Sequence, residues 1–396
     1  MPENLRIERI GLDRFTESVE LSQFAFQFKR SPEEIEELKV NFQIIPADRF
    51  AVIIDNQIAA QATVLELHTN IAGKSFAMGG VAGVATWPEY RRQGLVGKLL
   101  VHALQEMKEK GQTLSFLHPF AFGFYRKFGW ETYIEYKQYE LTTSQLPLRT
   151  NSPGKIERKS GYSELKQVYD QFAERYNGTL VRSNIWWERR VWQNKQGQVV
   201  LYSDNTGKAQ GYLIYQVKEK ELKIHELVHL NEESRSALWT FISQHDSMID
   251  KVSLDAPIDD RLADFLQEPR IKQEIIPYFM ARIVDLEAFI NLYPFQKSAE
   301  SDHFYLEVKD EYAPWNAGTY ELTINSSGKG HLSRVNEVED GKPIIRAGIG
   351  ALASLFIGYR TASELSYSNG ISAQIDTINR LHSRIPERTT YLADFF

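Results

Sequence analysis

The chain has 396 residues, 42% hydrophobic and 25% charged, which suits roughly two to three globular domains of about 150 residues and excludes a disordered chain. Its 46 Lys and Arg against 52 Asp and Glu give a net charge of -6, which excludes a global basic field for nucleic acid or an anionic membrane. The absence of cysteine excludes disulfides, thiolate metal sites and a Cys nucleophile; together with Met1-Pro2-Glu3-Asn4, which is no signal segment, and the lack of a long apolar run, it predicts a cytoplasmic protein.

Residues 50–54 and 58–67 are apolar and β-branched around Asp55-Asn56-Gln57, a hairpin pattern. After a turn at 70–74, residues 76–86 predict a central strand whose Gly, Ala and Val let something approach its backbone closely. Leu95, Leu99, Ala103, Leu104 and Met107 recur at helical spacing as far as Gly111, where a C-terminal cap belongs. Residues 114–117 predict a strand, and 124–130 a short helix stopped by Gly129. Asn151-Ser152-Pro153-Gly154-Lys155 is the linker candidate. Beyond it, 199–202, 211–217 and 222–230 predict three strands before a helix carrying Leu238, Phe241 and Ile242, an echo of the first unit that suggests a tandem repeat. After about Leu286, residues 304–308 and 320–324 alternate as strands, and 351–357 predict a buried helix. The apolar end 391–396 is expected to be tucked into the protein or against a neighbouring subunit. The whole reads as an α/β (α+β) protein divided at 1–149, 150–284 and 285–396.

The segment that carries chemistry is Val84-Ala85-Thr86-Trp87-Pro88-Glu89-Tyr90-Arg91-Arg92-Gln93-Gly94-Leu95. A strand ends, a basic glycine turn follows, and a helix starts. Free N–H groups at a helix N-terminus with two arginines suit a pyrophosphate, whereas a merely solvated Arg-Arg turn is the plainer reading. The matching junction of the second unit, Leu230-Asn231-Glu232-Glu233-Ser234, has no such turn, so that unit is expected to lack a cofactor site.

The run from Tyr90 to Leu95 resembles the acetyl-CoA motif of the GNAT N-acetyltransferases; Arg91 and Gly94 match, while Val96 stands where Gly or Ala is usual and Gly97 comes one place late. Phe124-Tyr125-Arg126-Lys127-Phe128-Gly129 and the three-unit order resemble the Eis (enhanced intracellular survival) acetyltransferases over nearly the full length. This resemblance implies two GNAT-fold units followed by a sterol-carrier-like domain, with acetyl-CoA as co-substrate, no metal and a homo-hexamer. Backbone N–H groups of Val84 and Thr86 would bind the pantetheine arm, and Arg91, Arg92, Gly94 and Leu95 the pyrophosphate. Tyr125 would protonate the departing CoA thiolate, their reference pKa values being about 10 and 8.5; the alternative is an aromatic core residue. The α-carboxylate of Phe396 would take up or position the proton of the acceptor amine. Phe24 and Phe26 would border the substrate cleft and Asp394, the acid nearest the end, would touch the acceptor. That acceptor is expected to be an aminoglycoside, polyamine or lysine-like amine, attacking directly in a ternary complex, and an acidic surface favours such cations.

Two other readings compete. His225-Glu226-Leu227-Val228-His229 spells the H-E-x-x-H zinc signature, which needs a helix; here apolar residues alternate, which means strand, and the two His would lie about 13 Å apart. His68, His102 and His118 show no ligand spacing. An apolar-ligand carrier with an inactive first unit is the other alternative, and an intact Tyr125 argues against it.

Overall fold

The computed structural model describes residues 5–338, 342–368 and 370–396; residues 1–4, read above for targeting, lie outside the described residues. The chain begins β1 (Arg6–Arg9), α1 (Phe15–Ala25), α2 (Pro32–Ile44), β2 (Ala47–Ile54), β3 (Gln57–Ile71), β4 (Lys74–Thr86), α3 (Leu95–Glu109), β5 (Leu114–Leu117), α4 (Phe122–Arg126), β6 (Glu131–Thr132) and β7 (Glu135–Thr142). The predicted hairpin is β2–β3, where Asp55 and Asn56 adopt φ of 48° and 63°, left-handed values their short polar side chains tolerate. A capping box between Ser31 and Glu34, with Pro32 in the first turn, starts α2. The amphipathic helix is α3, and Leu95, Leu99, Ala103, Leu104 and Met107 all lie in the core. Leu99, fully buried, contributes about 2 kcal/mol of transfer free energy.

The chain continues through β8 (Lys155–Arg158), α5 (Ser163–Ala173), a helical segment over 184–194, β9 (Gln198–Ser203), β10 (Ala209–Lys218) and β11 (Glu221–His229). The helix Glu232–Ser243, β12 (Lys251–Pro257), β13 (Lys272–Pro277) and β14 (Met280–Ile283) follow. The repeat is real in topology. In each unit a strand, a helix and a second strand build a parallel pair, β4 with β5 and β11 with β12.

The sheets do not respect the chain order. The first runs β1-β2-β3-β4-β5-β14-β6 and the second β13-β7-β12-β11-β10-β9-β8. Thus β14 inserts between β5 and β6, and β7 between β12 and β13. Cuts at 149/150 and 284/285 therefore leave each unit holding a strand that pairs in the other. Local pattern cannot reveal this, because Tyr139 and Leu141 bury the same alternate face in either sheet.

The helix Leu286–Leu292 opens the third unit, whose sheet orders β15 (Asp302–Lys309), β16 (Gly318–Ile324), β17 (Gly330–Arg334) and β18 (Ile344–Gly348) as β17-β16-β15-β18. The predicted buried helix is Ile349–Ile357. Rings of Phe289, Tyr293, Phe295 and Phe356 touch one another at centroid distances from 4.7 to 6.1 Å.

One apolar core joins the three units, with Leu65 and Phe76, Tyr169 and Trp187, and Phe289 and Leu322 as members. The chain end enters this core. The Tyr391 N–H donates to Asn177 O and the Asn177 N–H to Thr389 O, both at 2.9 Å, and Phe396 is only 7% exposed. The apolar terminus is tucked into its own chain. No helix among the described residues is long and apolar enough to cross a membrane.

Candidate active site

Strands β4 and β5 pair in parallel only from Met78 opposite Leu114 to Val81 opposite Leu117. Beyond Val81 they splay, and one edge of β4 is left open. On the other edge the register against β3 jumps between Gln61–Ala85 and Thr63–Ala82, a bulge in which Gly83 takes φ of 59°. The Trp87 N–H donates to Ala59 O of β3 at 3.1 Å, so by strand alternation the N–H groups of Val84 and Thr86 face the open edge. An extended chain laid there would complete the ladder as an added strand. Thr86 Oγ1, buried with no hydrogen-bond partner, sits on the same stretch.

The turn that follows is strained by design of its sequence. Arg92 and Gly94 adopt φ of 61° and 75°. A Cβ on Gly94 would meet nothing within 4 Å, so glycine serves the backbone conformation there rather than space. At Gly97 the reason is space, since a Cβ would lie 3.1 Å from Phe128 Cζ. The glycine one place late in the motif is what lets α3 pack against the Phe-Tyr-x-x-Phe-Gly segment. The first helical bond of α3 runs from Lys98 N–H to Gly94 O, leaving the N–H groups of Leu95, Val96 and Gly97 for an anion. A cavity of about 710 Å³ is lined by Val84, Thr86, Arg91, Arg92, Gly94 and Leu95, together with Phe26, Phe120 and Phe124. All six residues expected at the cofactor are brought together, and the open strand edge, orphaned hydroxyl and anion-ready turn fit a pantetheine pyrophosphate.

Tyr125 on α4 is 3% exposed and touches the rings of Phe120, Phe124 and Trp130 at 5.4, 5.2 and 6.4 Å. A phenol is protonated at neutral pH in any case, and burial pushes the Tyr125 pKa further up, so the group holds its proton well into the alkaline range. Its support was invisible in the sequence. Arg282 of β14, fully buried, donates to Phe128 O and to both Asp310 oxygens at 2.7 Å. A Cβ on Gly129 would collide with that guanidinium, which explains the glycine closing the motif.

The Phe396 ring lies on β4, where a Cβ on Gly80 would stand 2.8 Å from it. This is the close approach its small residues predicted. Phe396 lines a second cavity of about 290 Å³ with Ala82, Gly83, Phe26 and Phe28. Phe26 lines both cavities, and the β4 bulge borders them, with Ala82 and Gly83 on the second and Val84 on the first. Phe24 does not join them: at the end of α1 it packs on Trp87 at 4.9 Å and is 51% exposed.

Asp394, expected at the acceptor, is 3% exposed and engaged elsewhere. Both its oxygens accept from Arg182 Nε at 3.0 Å, and Oδ1 also accepts from the Trp186 indole at 2.8 Å. Arg182 donates on to Glu226 at 2.9 and 2.7 Å, while Lys195 donates to Glu226 and, at 2.9 Å, to Ala393 O. Two cations and two carboxylates cancel. Burial alone would push the Glu226 pKa up, but Arg182 and Lys195 hold it well below the usual range. With its oxygens so occupied, Asp394 anchors the tail and cannot also bind substrate. Neither Arg182 nor Lys195 carried any local signal.

The same cluster disposes of the zinc signature. Glu226 lies on strand β11 with its side chain in the ion cluster, and β11 is extended with a register shift at His225, so His225 and His229 do not share the helix face that the zinc signature needs. Among the described residues no group of three or more His, Asp and Glu could hold a metal. Burial, then Arg235 and Arg175, push the His229 pKa down to about 4. A depressed folded pKa means stability complete above the unfolded value near 6.5 and lost as pH falls towards 4. Chemical denaturation should show stability declining across that window by up to about 1.4 kcal/mol per pH unit, a slope that His229→Gln reduces.

Models of the acetyltransferase (GNAT) domain match residues 6–133 and 178–283, and a sterol carrier protein domain matches 286–393. The chain belongs to the GNAT N-acetyltransferases, a class that draws its acetyl group from acetyl-CoA. It is 20% identical to N-acetyltransferase Eis of Mycobacterium tuberculosis over 88% of this chain and 90% of that one, and it is a homologue of the Eis enzymes with the same three-domain order. An uncharacterized N-acetyltransferase of Streptomyces griseus is 22% identical over 75% of this chain and 76% of its own. Among solved structures, a probable N-acyltransferase of Enterococcus faecalis superposes with a TM-score of 0.93 at 28% identity, covering 99% of this chain and all of that one. Eis1 of Mycobacterium abscessus shares the fold, with a TM-score of 0.80 at 20% identity, 99% of this chain and 100% of that one being covered. In the second GNAT unit the helix Glu232–Ser243 starts at an Asn231–Ser234 capping box with two glutamates in its first turn, a poor anion site.

Proposed function

We propose that the protein transfers acetyl from acetyl-CoA to a primary amine by direct attack in a ternary complex, using only the first GNAT unit and the chain end. The observation that carries this is the pair of cavities that border the β4 bulge and share Phe26. Cofactor-side walls bear Val84, Thr86, Arg91, Arg92, Gly94 and Leu95, and Phe396 closes the other side. Backbone N–H groups of the bulge polarise the thioester carbonyl and stabilise the oxyanion formed on attack. Tyr125, a protonated phenol at neutral pH, donates to the departing thiolate, whose own pKa the apolar surroundings raise along with that of the phenol. The carboxylate of Phe396 holds the amine's proton as the nitrogen attacks.

Thiol release from acetyl-CoA tests this without background, because the chain has no cysteine. Deleting Phe396 should lower kcat at least about tenfold while acetyl-CoA binding by calorimetry persists. An unchanged kcat would remove the terminus from the mechanism. Failure of the intact chain to bind acetyl-CoA would remove the function.

A further inference from the structure

The acceptor-side cavity, where the function just proposed puts the amine, is lined by three arginines, Arg30, Arg49 and Arg190, and by no Asp or Glu among its described lining residues. They arrive from three distant segments: the turn after α1, strand β2, and the helical segment over 184–194. None is answered by a described carboxylate bridge. Arg190 Nε is buried without a hydrogen-bond partner, and its guanidinium lies 5.7 Å from the Trp186 ring. The Arg49 guanidinium stacks on Phe42 at 3.9 Å and donates to Ala47 O at 3.3 Å, and that of Arg30 lies over Phe28 at 4.8 Å. Elsewhere this chain pairs its buried arginines: Arg182, Arg282 and Arg384 each have a carboxylate within 2.6 to 2.7 Å.

The three charges also act on one another. Burial pushes the guanidinium pKa of Arg49 and Arg190 down, and after it Arg190 depresses Arg49, which Asp48 opposes in part, and Arg30 depresses Arg190. Like charges gathered in a partly desolvated cleft are costly unless an anion joins them. Two neutral acceptors, Asn41 Oδ1 and Gln61 Oε1, line the same cavity, buried and without partners. Gln61 is fixed in this orientation because its amide donates to Ser22 Oγ at 2.8 Å and Ser18 O at 3.2 Å. The vacant partners are therefore one anion for the guanidiniums and N–H donors for the amide oxygens. At about 290 Å³ the space sits at the lower end of ligand sites, which run from about 300 Å³.

We infer that the acceptor is a small amine that also carries an anion, a carboxylate or a phosphate, held by Arg30, Arg49 and Arg190 while its amino group meets the Phe396 carboxylate. A polycation would face three positive charges against one negative. The net charge of -6 pointed to cationic acceptors, yet the charge that matters is local and has the opposite sign. In the reaction the N–C bond forms and the C–S bond breaks. One proton leaves the nitrogen and one reaches the sulfur.

The test uses the full chain and matched amines: putrescine against 4-aminobutyrate, and ethanolamine against O-phosphoethanolamine. The anionic member of a pair should show kcat/KM at least about tenfold higher, and the better pair distinguishes carboxylate from phosphate. Arg190→Gln and, separately, Arg49→Gln should raise KM for that amine about 10- to 100-fold, with the Kd for acetyl-CoA unchanged. Calorimetric binding of the two anionic amines reads the same site without turnover, and loss of that binding in Arg190→Gln supports the inference even if chemistry is silent. Preference for the cationic members overturns it, as does an unchanged KM in both folded variants or binding of neither anionic amine. Absence of acetyl-CoA binding would overturn the acetyl-transfer reading instead, and the calorimetry separates the two failures.

Discussion

Replacing Arg182 with alanine is expected to destabilise the chain by about 3–5 kcal/mol, a large part of a typical folding free energy. The guanidinium is fully buried and bridges Asp394 and Glu226, while its face lies 3.7 Å from the Tyr169 ring. Its removal leaves two buried carboxylates with only Lys195 as a charged partner. The loss should appear as a lower denaturant midpoint at pH 7 and shrink in acid, for the following reason. Glu226 has a depressed folded pKa, so its contribution is complete above the unfolded value near 4.5 and disappears as pH falls through the folded value. In the folded fraction kcat should fall too, because Asp394 no longer fixes the last residues against β4. Asp394→Asn, which keeps the shape, one acceptor oxygen for Arg182 and the Arg182–Glu226 bridge but loses one charge and one acceptor, should be milder on both counts. An Arg182→Ala chain with wild-type midpoint and kcat would show that the tail is held by its aromatic packing alone.

Tyr125→Phe is expected to lower kcat by about 10²- to 10⁴-fold, the usual worth of a positioned acid. Phenylalanine keeps the ring contacts with Phe120, Phe124 and Trp130, so stability and the Kd for acetyl-CoA should hardly move. That contrast separates proton donation from packing: a tyrosine serving only the core predicts unchanged kcat. Because burial raises the phenol pKa, the wild-type rate should show no loss of this acid as pH rises towards the ordinary tyrosine value of about 10. A basic limb near pH 8 that disappears in Tyr125→Phe would contradict the assignment.

Local pattern carried the elements that build the cofactor side. The spacing of Leu95, Leu99 and Met107, the small residues of β4 and the turn from Arg91 to Gly94 each act through neighbours in sequence, so their consequences were legible. Period two in β11 likewise unmasked the histidine pair before any coordinates. What stayed hidden depends on partners far along the chain. The places of β7 and β14 follow from pairing with strands more than 100 and more than 160 residues away, and alternation does not name a partner strand. Asp394 was misplaced because nearness to the terminus says nothing about which way a carboxylate turns, and Arg182 that claims it lies 212 positions away. Phe24 and Phe26 share a spacing of two, but the end of α1 falls between them, so one goes to Trp87 and the other to the cavities. Arg30, Arg49 and Arg190 become a cluster only after folding.

The traded strands bear on how such a chain is made. During synthesis the first sheet cannot close until β14 at Met280–Ile283 has left the ribosome, although β5, its neighbour, emerged more than 160 residues earlier. At about 5–20 residues per second that is a wait on the order of ten seconds or more, with an unpaired strand edge that invites aggregation. Phe396, the last residue of the sequence, lines the second cavity. On the function proposed above, a nascent or prematurely terminated chain would hold most of a cofactor cleft without the wall for the amine, and its expected state is idle rather than unselective.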